Sequence, residues 1–276
     1  MITTFRGKSS IAAHTILIVG CVTMFFPLVW MILLSINTNP PGDATFGELL
    51  RGVFTLSNYT DALQSDRFGI YFLNSVIVAT VVAVGSAIFS TTVAYAFARR
   101  EFRMKGWLFA SVLGVLMVPP HVVMIPLYRE VVTFGWINTY FALTLPFMVT
   151  PFGIFLMRQY IQGLPKELEE AARIDGAKTL GILRQIIFPL STPMLVVLFI
   201  YQFLTTWNAF LFPFLFVNNT SMRTLPVGLA FYLGKQSVDW GHLMAGAGMS
   251  AIPVLILFAI FQRKIIAGFT AGALKG

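Results

Sequence analysis

Six stretches of this chain are apolar for about twenty residues each and contain no acid, lysine or arginine: 11–34, 73–98, 107–127, 139–157, 194–217 and 243–261. A hydrocarbon bilayer core is crossed by about 20 helical residues. Inside lipid, each backbone N–H and C=O must be satisfied within the segment or by neighbouring protein, so these runs read as helices. Only 11% of the residues are charged and 57% are hydrophobic, against roughly 25% charged in soluble domains. The expectation is an all-α integral membrane protein, one transmembrane domain over 1–276 with six transmembrane helices. The third segment is the weakest, because Pro119, Pro120 and Pro126 interrupt it. Arg6 and Lys8 precede the first, as in a signal peptide. Its apolar run is too long for one, and Ser35-Ile36-Asn37 is a poor cleavage site, so it reads as a retained span.

Of the 19 lysines and arginines, 14 fall in the N-terminus, 99–105, 158–184 and the C-terminus, and 5 in the alternate loops. The positive-inside rule then puts both termini and the 163–193 loop in the cytoplasm. The same distribution accounts for the net charge of +8 without nucleic acid. Cys21 stands alone in an apolar run, so no intrachain disulfide forms, and it reads as a small buried side chain. His14, His121 and His242 fall too far apart along the span pattern for a metal cluster.

The longest polar stretch between apolar ones is GLPKELEEAARIDGAKTLGILRQIIFPLSTP, residues 163–193. It reads as two short helices around a turn. Pro165 suits a first helical position, and Glu167, Glu169 and Glu170 follow where a helix N-terminus favours negative charge. Asp175-Gly176 breaks the pattern, since glycine enters left-handed backbone without a Cβ penalty. A second amphipathic run, 177–187, puts Leu180, Leu183, Ile186 and Ile187 on one side, and Pro189 ends it. With four acids and four bases, the segment suits a DNA-reading helix-turn-helix poorly.

Glu170-Ala171-Ala172, three residues, Gly176, nine residues and then Ile186-Ile187-Phe188-Pro189 resembles the EAA loop of the membrane subunits of binding-protein-dependent ABC importers. Phe188 replaces that pattern's usual leucine. Further points resemble the carbohydrate-type, maltose-like permeases: 55–59, Asn74-Ser75, 135–140, Trp207-Asn208 inside the fifth span, and the tail from Phe261 to Gly276. The resemblance implies a type I importer permease fold in a prokaryotic plasma (inner) membrane. It implies a second permease subunit, two ATPase subunits and an extracytoplasmic solute-binding protein as partners, with a sugar or sugar-like substrate. ATP and Mg would be bound by the ATPase, leaving no cofactor in this chain. Glu170, Ala171, Ala172, Asp175, Gly176, Ala177, Ile186 and Pro189 would couple to the ATPase, and Gly268, Thr270, Ala271 and Gly272 would touch it. Arg99 to Arg103 would form a cytoplasmic anchor or a further ATPase contact. The 217–242 loop would reach toward the binding protein. Trp207 and Asn208 would either line the substrate pathway or hold helices together. The small residues of the second span, Ala79 to Ala94, would pack within the subunit or against the second permease.

No catalytic constellation appears, so a non-enzymatic translocation subunit is expected. Gly176-Ala177-Lys178-Thr179 lacks the glycines of a phosphate-binding loop. The competing reading is a secondary transporter driven by an ion gradient. Such proteins usually carry ionisable coupling groups inside their spans, and these six segments have no Asp, Glu, Lys or Arg.

Overall fold

The computed structural model describes residues 8–64, 67–233 and 238–273, with side chains between 11 and 262. Among the described residues there are helices and turns, an isolated bridge between Asn37 and Phe54, and no strand. The chain forms two compact units, one of Met1–Gly69 with Leu229–Ile252, the other of Ile70–Gly228 with Pro253–Gly276.

In the first unit, α1 (Lys8–Ile36) is followed by the short α2 (Phe46–Arg51) and α3 (Ser57–Gln64). The last carbonyls of α1 have no intrahelical donors and need others. Asn58 of α3 supplies them: its Nδ2 donates to Ser35 O at 2.9 Å and Asn37 O at 2.7 Å. Asn37 Nδ2 donates in turn to Leu33 O at 2.8 Å and Leu49 O at 3.0 Å. The 55–59 run is thus the start of a helix whose buried amide closes the end of α1. Thr45 and Glu48 form a reciprocal capping box on α2.

The second unit is built on α4 (Phe68–Arg99), whose small residues are mostly buried: Ala79, Ala83, Ser86, Ser90 and Ala94 all lie in its core. They pack inside this subunit. Next come α5 (Lys105–Val115), α6 (Met124–Thr133), α7 (Tyr140–Thr144), which runs into a tight turn at Leu145–Phe147, and α8 (Pro151–Gln162). A Cβ on Gly153 would lie 2.8 Å from Ser90 Oγ, so glycine and serine together allow α8 to close on α4. The loop helices α9 (Glu167–Ile174), α10 (Thr179–Ile182) and α11 (Phe188–Leu190) follow, with a π-turn at Leu183–Ile187 between the last two. Then come α12 (Thr192–Trp207) and α13 (Leu211–Phe216), followed by α14 (Leu225–Leu233) and α15 (Trp240–Ala273), each of which belongs partly to the first unit.

Among the described residues, three helices are long and apolar enough to cross a bilayer alone: Ile11–Ile36, Phe68–Arg99 and Trp240–Gln262. The fourth apolar segment belongs to a pair bent by 41°, Tyr140–Phe147 with Pro151–Gln162. Thr150 caps α8 by accepting from Gly153 N, and Pro151, lacking an N–H, occupies its first position. Segment 107–127 is two helices, α5 and α6, separated by turns at Pro119 and Pro120. Pro126 sits in the first turn of α6, where a missing N–H costs nothing, and breaks no helix. Segment 194–217 also divides. The expected Trp207-Asn208 pair lies at the end of α12 rather than within a continuous span, because Asn208 caps that helix.

Candidate functional site

The 163–193 segment starts where α8 ends at Gly163. Acidic residues fill the first turn of α9, as its helix dipole favours. At the other end, Gly176 adopts φ +82°, its N–H bonds Arg173 O at 3.0 Å, and Ala177 N–H bonds Ala172 O at 2.8 Å. That pair of bonds is a Schellman cap, which satisfies two terminal carbonyls and requires the left-handed residue. The turn read from Asp175-Gly176 is therefore a glycine C-cap.

The second half of the loop differs from the sequence reading. Pro189 does not end a helix at 187, because helical backbone runs from Thr179 to Leu190 and bends by 79° into α12. The π-turn at Leu183–Ile187 ends two residues before the proline. Its wider spacing relaxes the i to i−4 ladder in which a proline would otherwise clash. The inward face also changes. Ile182, Leu183 and Ile187 are buried, whereas Leu180 is 74% exposed.

The buried face joins a core with Ala94 and Tyr95 of α4, Met157 and Ile161 of α8 and Leu198 of α12, against which Ala172, Ala177 and Ile186 also pack. Three of the predicted coupling residues therefore meet in one cluster. Glu170, Ala171, Asp175, Gly176 and Pro189 lie exposed on the outside of the loop. Ile174 is 87% exposed beside them, and Leu168 and Leu180 add to that apolar surface. The loop thus has one face inserted in the helix ends and another presented outward.

The residue that ties the loop to the bundle is one sequence reasoning did not single out. Glu169 is buried, and its Oε1 lies 2.7 Å from Arg99 Nε, with the two side chains only 3% and 4% exposed. The contact is close as an ion pair but misaligned as a hydrogen bond, since neither atom has a hydrogen-bond partner. Arg99 Nη2 donates instead to Leu164 O at 2.6 Å. The other carboxylate oxygen accepts from Tyr95 Oη at 3.1 Å and lies 3.4 Å from Arg173 Nη2. Arg100 donates to Thr179 Oγ1. Arg99 and Arg100, expected to anchor or to contact an ATPase, face this chain's own loop. Only the tertiary fold distinguishes Glu169 from its neighbours Glu167 and Glu170.

At the far end of this unit, separate sequence motifs prove to be one clamp. Asn74 Nδ2 donates to Ser221 O and Arg223 O, both at 2.9 Å, and its Oδ1 accepts from Tyr140 Oη at 2.7 Å. Ser75 Oγ accepts from Leu225 N at 2.8 Å. Asn138, at φ +58°, accepts from the N–H groups of Asn218 and Asn219 at 2.7 and 2.8 Å. The start of the 217–242 loop is therefore pinned, while residues 234–237 lie outside the described residues.

Trp207 and Asn208 point to different surroundings. Trp207 is 3% exposed, against Phe72 and stacked on Phe203 with ring centroids 5.8 Å apart. Asn208 is exposed, and its amide donates to Leu204 O at 2.8 Å in its own helix. Gly268, Thr270, Ala271 and Gly272 fall in the last turns of α15, where side chains lie outside the described residues, as do 274–276 altogether.

Residues 88–270 match the family described as binding-protein-dependent transport system inner membrane component. The chain is 40% identical over 261 residues to the arabinooligosaccharides transport system permease protein AraQ of Halalkalibacterium halodurans, covering 91% of each. It is 36% identical over 280 residues to the trehalose/maltose transport system permease protein MalG of Thermococcus litoralis, covering 98% of this chain and 99% of that one. Its fold resembles a chain in the crystal structure of a bacterial ABC transporter involved in import of the acidic polysaccharide alginate. That match has a TM-score of 0.81 at 22% identity, over 95% of this chain and 99% of the other.

Proposed function

Because this chain belongs to the family of binding-protein-dependent transport system inner membrane components, we propose that it is a permease subunit of an ATP-driven importer for a sugar or sugar-like solute. The sugar class is supported by relatives named for arabinooligosaccharide and trehalose/maltose transport. The subunit works in a prokaryotic inner membrane beside a second permease subunit, two ATPase subunits and an extracytoplasmic binding protein. Both termini face the cytoplasm, in keeping with the distribution of basic residues. It hydrolyses nothing itself, and ATP and Mg belong to the ATPase subunits.

The observation that carries the coupling role is the two-faced loop: Ile182, Leu183 and Ile187 are sunk into the helix ends while Ile174 and Leu180 stand in solvent. Covering two such side chains with a partner contributes about 3–5 kcal/mol before ordering costs. Closure of the ATPase pair on ATP would pull the outward face, and the inserted face would shift the ends of α4, α8 and α12. The pathway would then alternate between inward- and outward-facing states. Asn208, exposed at the end of α12, is the pathway residue of its pair, and buried Trp207 supports it. The tail at Gly268, Thr270, Ala271 and Gly272 touches the ATPase; deleting 270–276 should lower hydrolysis or uptake in an otherwise assembled complex, and unchanged activity would exclude that role.

The deciding experiment is uptake by the complete complex in proteoliposomes. It should require ATP, stop with vanadate and persist when ionophores collapse ion gradients. Gradient-driven uptake without ATP would make the chain a secondary transporter instead.

A further inference from the structure

We propose that Arg99 and Glu169 are positioning residues: their buried pair is the link through which movement of the 163–193 loop reaches α4. The inference rests on the coupling role assigned to the loop above.

Tyr95 and Arg99 in the last turn and a half of α4, and Arg100 just past its end, hold the loop at three separated points. Tyr95 Oη donates to Glu169 Oε2, and the Arg99 guanidinium contacts Glu169 Oε1 while donating to Leu164 O. Arg100 donates to Thr179 Oγ1. These points lie before α9, within its first turn, and at the start of α10. Held at three places, the loop cannot tilt or slide without carrying the end of α4 with it. The apolar core around Ile182 and Ile187 has no comparable directionality, because dispersion contacts reform after a small slide whereas a bridged carboxylate does not.

Stability gives little reason for such a pair. A buried ion pair often does no better than well-packed apolar residues of similar size, since desolvation offsets the attraction. The Arg99 Nε contact is not even aligned as a hydrogen bond. A grip that resists displacement is a role that apolar replacements could not reproduce. The paired arrangement also separates two functions by position. Glu169 is buried against α4, while Glu170, the adjacent acid, stands exposed on the outer face of the loop.

The test uses the full complex in proteoliposomes, with three variants: Glu169→Gln, Arg99→Lys and the double Arg99→Met/Glu169→Leu. The double variant leaves no unpaired buried charge and so guards against simple misfolding. Retention of the ATPase through purification, ATP hydrolysis and uptake per ATP hydrolysed are each measured. The double variant should retain the ATPase and hydrolyse ATP, yet uptake per ATP should fall about tenfold, within the range of ordinary coupling free energies. Arg99→Lys keeps the charge but cannot span both Glu169 and Leu164, and should fall between it and the unaltered protein. Glu169→Gln should resemble the double variant. Uptake per ATP within twofold of the unaltered protein in the double variant would overturn the proposal. So would loss of the ATPase from the double variant, which would make the pair a support for docking only. Failure of the coupling role itself reads differently: uptake by the unaltered complex would then not respond to vanadate.

Discussion

Replacing Gly176 separates the shape of the loop from its chemistry. A Cβ at this position would meet nothing within 4 Å, so the first side-chain carbon has room. The whole penalty is backbone strain at φ +82°. A non-glycine residue in left-handed conformation costs about 1–2 kcal/mol, with asparagine cheapest and β-branched residues worst. The alternative is to abandon that φ and lose two hydrogen bonds, Gly176 N to Arg173 O and Ala177 N to Ala172 O. Each such bond is worth about 1 kcal/mol net, so the escape route caps the cost near 2 kcal/mol. If the capped loop is the form that binds the ATPase, strain of about 1–2 kcal/mol against two bonds worth about 2 kcal/mol lowers its population to about 85–50%, so affinity falls by up to about twofold, and further where a β-branched residue exceeds that strain. Affinity of the isolated ATPase for detergent-solubilised permease should therefore run glycine, then Gly176→Asn, then Gly176→Ala, with Gly176→Val weakest. The other described helices should be unaffected, since a Cβ at 176 meets nothing within 4 Å. Equal affinity for the valine and glycine forms, or no advantage of asparagine over alanine, would refute the assignment of this turn as a conformational determinant of docking.

Glu170→Ala keeps helix propensity and removes an exposed charge, so the ATPase should remain bound while uptake falls severalfold; normal uptake would remove Glu170 from the coupling face. Lys178→Cys in a Cys21→Ser background should react with an impermeant maleimide only from the cytoplasmic side, and labelling of intact cells would reverse the topology. Asn208→Leu should reduce uptake with the complex still assembled, whereas loss of assembly would show that the amide matters only in closing α12. In the first unit, hydrogen bonds from the Thr45 backbone N–H and hydroxyl hold the Glu48 carboxyl below the usual carboxylate range. A depressed value means that the capping box stabilises fully above the ordinary carboxylate pKa and is lost as pH falls through the lowered one. Exchange protection of the Thr45 amide should drop as pH falls below the ordinary glutamate range, and Glu48→Gln should abolish that step.

Several features were legible without any structure because they are local. Lipid demands a run of apolar residues long enough to span it, and a left-handed cap demands glycine, so the helical class and the turn at Gly176 could be read residue by residue. The EAA spacing likewise made the loop recognisable, through its resemblance to the importer permeases' signature. Helix ends were less readable. Pro189 looked terminal, but the π-turn before it is a tertiary accommodation that also took Leu180 off the buried face. Asn208 looked like part of a span because its neighbours are apolar, yet it closes a helix through Leu204 O.

What only the tertiary structure decided is which polar residues act together. Glu167, Glu169 and Glu170 are equivalent in composition and nearly so in position, all in the first turn of α9. Burial against α4 selects Glu169, and its partner Arg99 lies 70 residues earlier in the chain. Asn74, Asn138 and Asn219 are likewise separate motifs in the sequence and one clamp in space. Propensity and hydropathy depend on neighbours a few residues away, so they identify the helices. The pairing of a buried charge depends on which helix ends meet, and no local pattern carries that information.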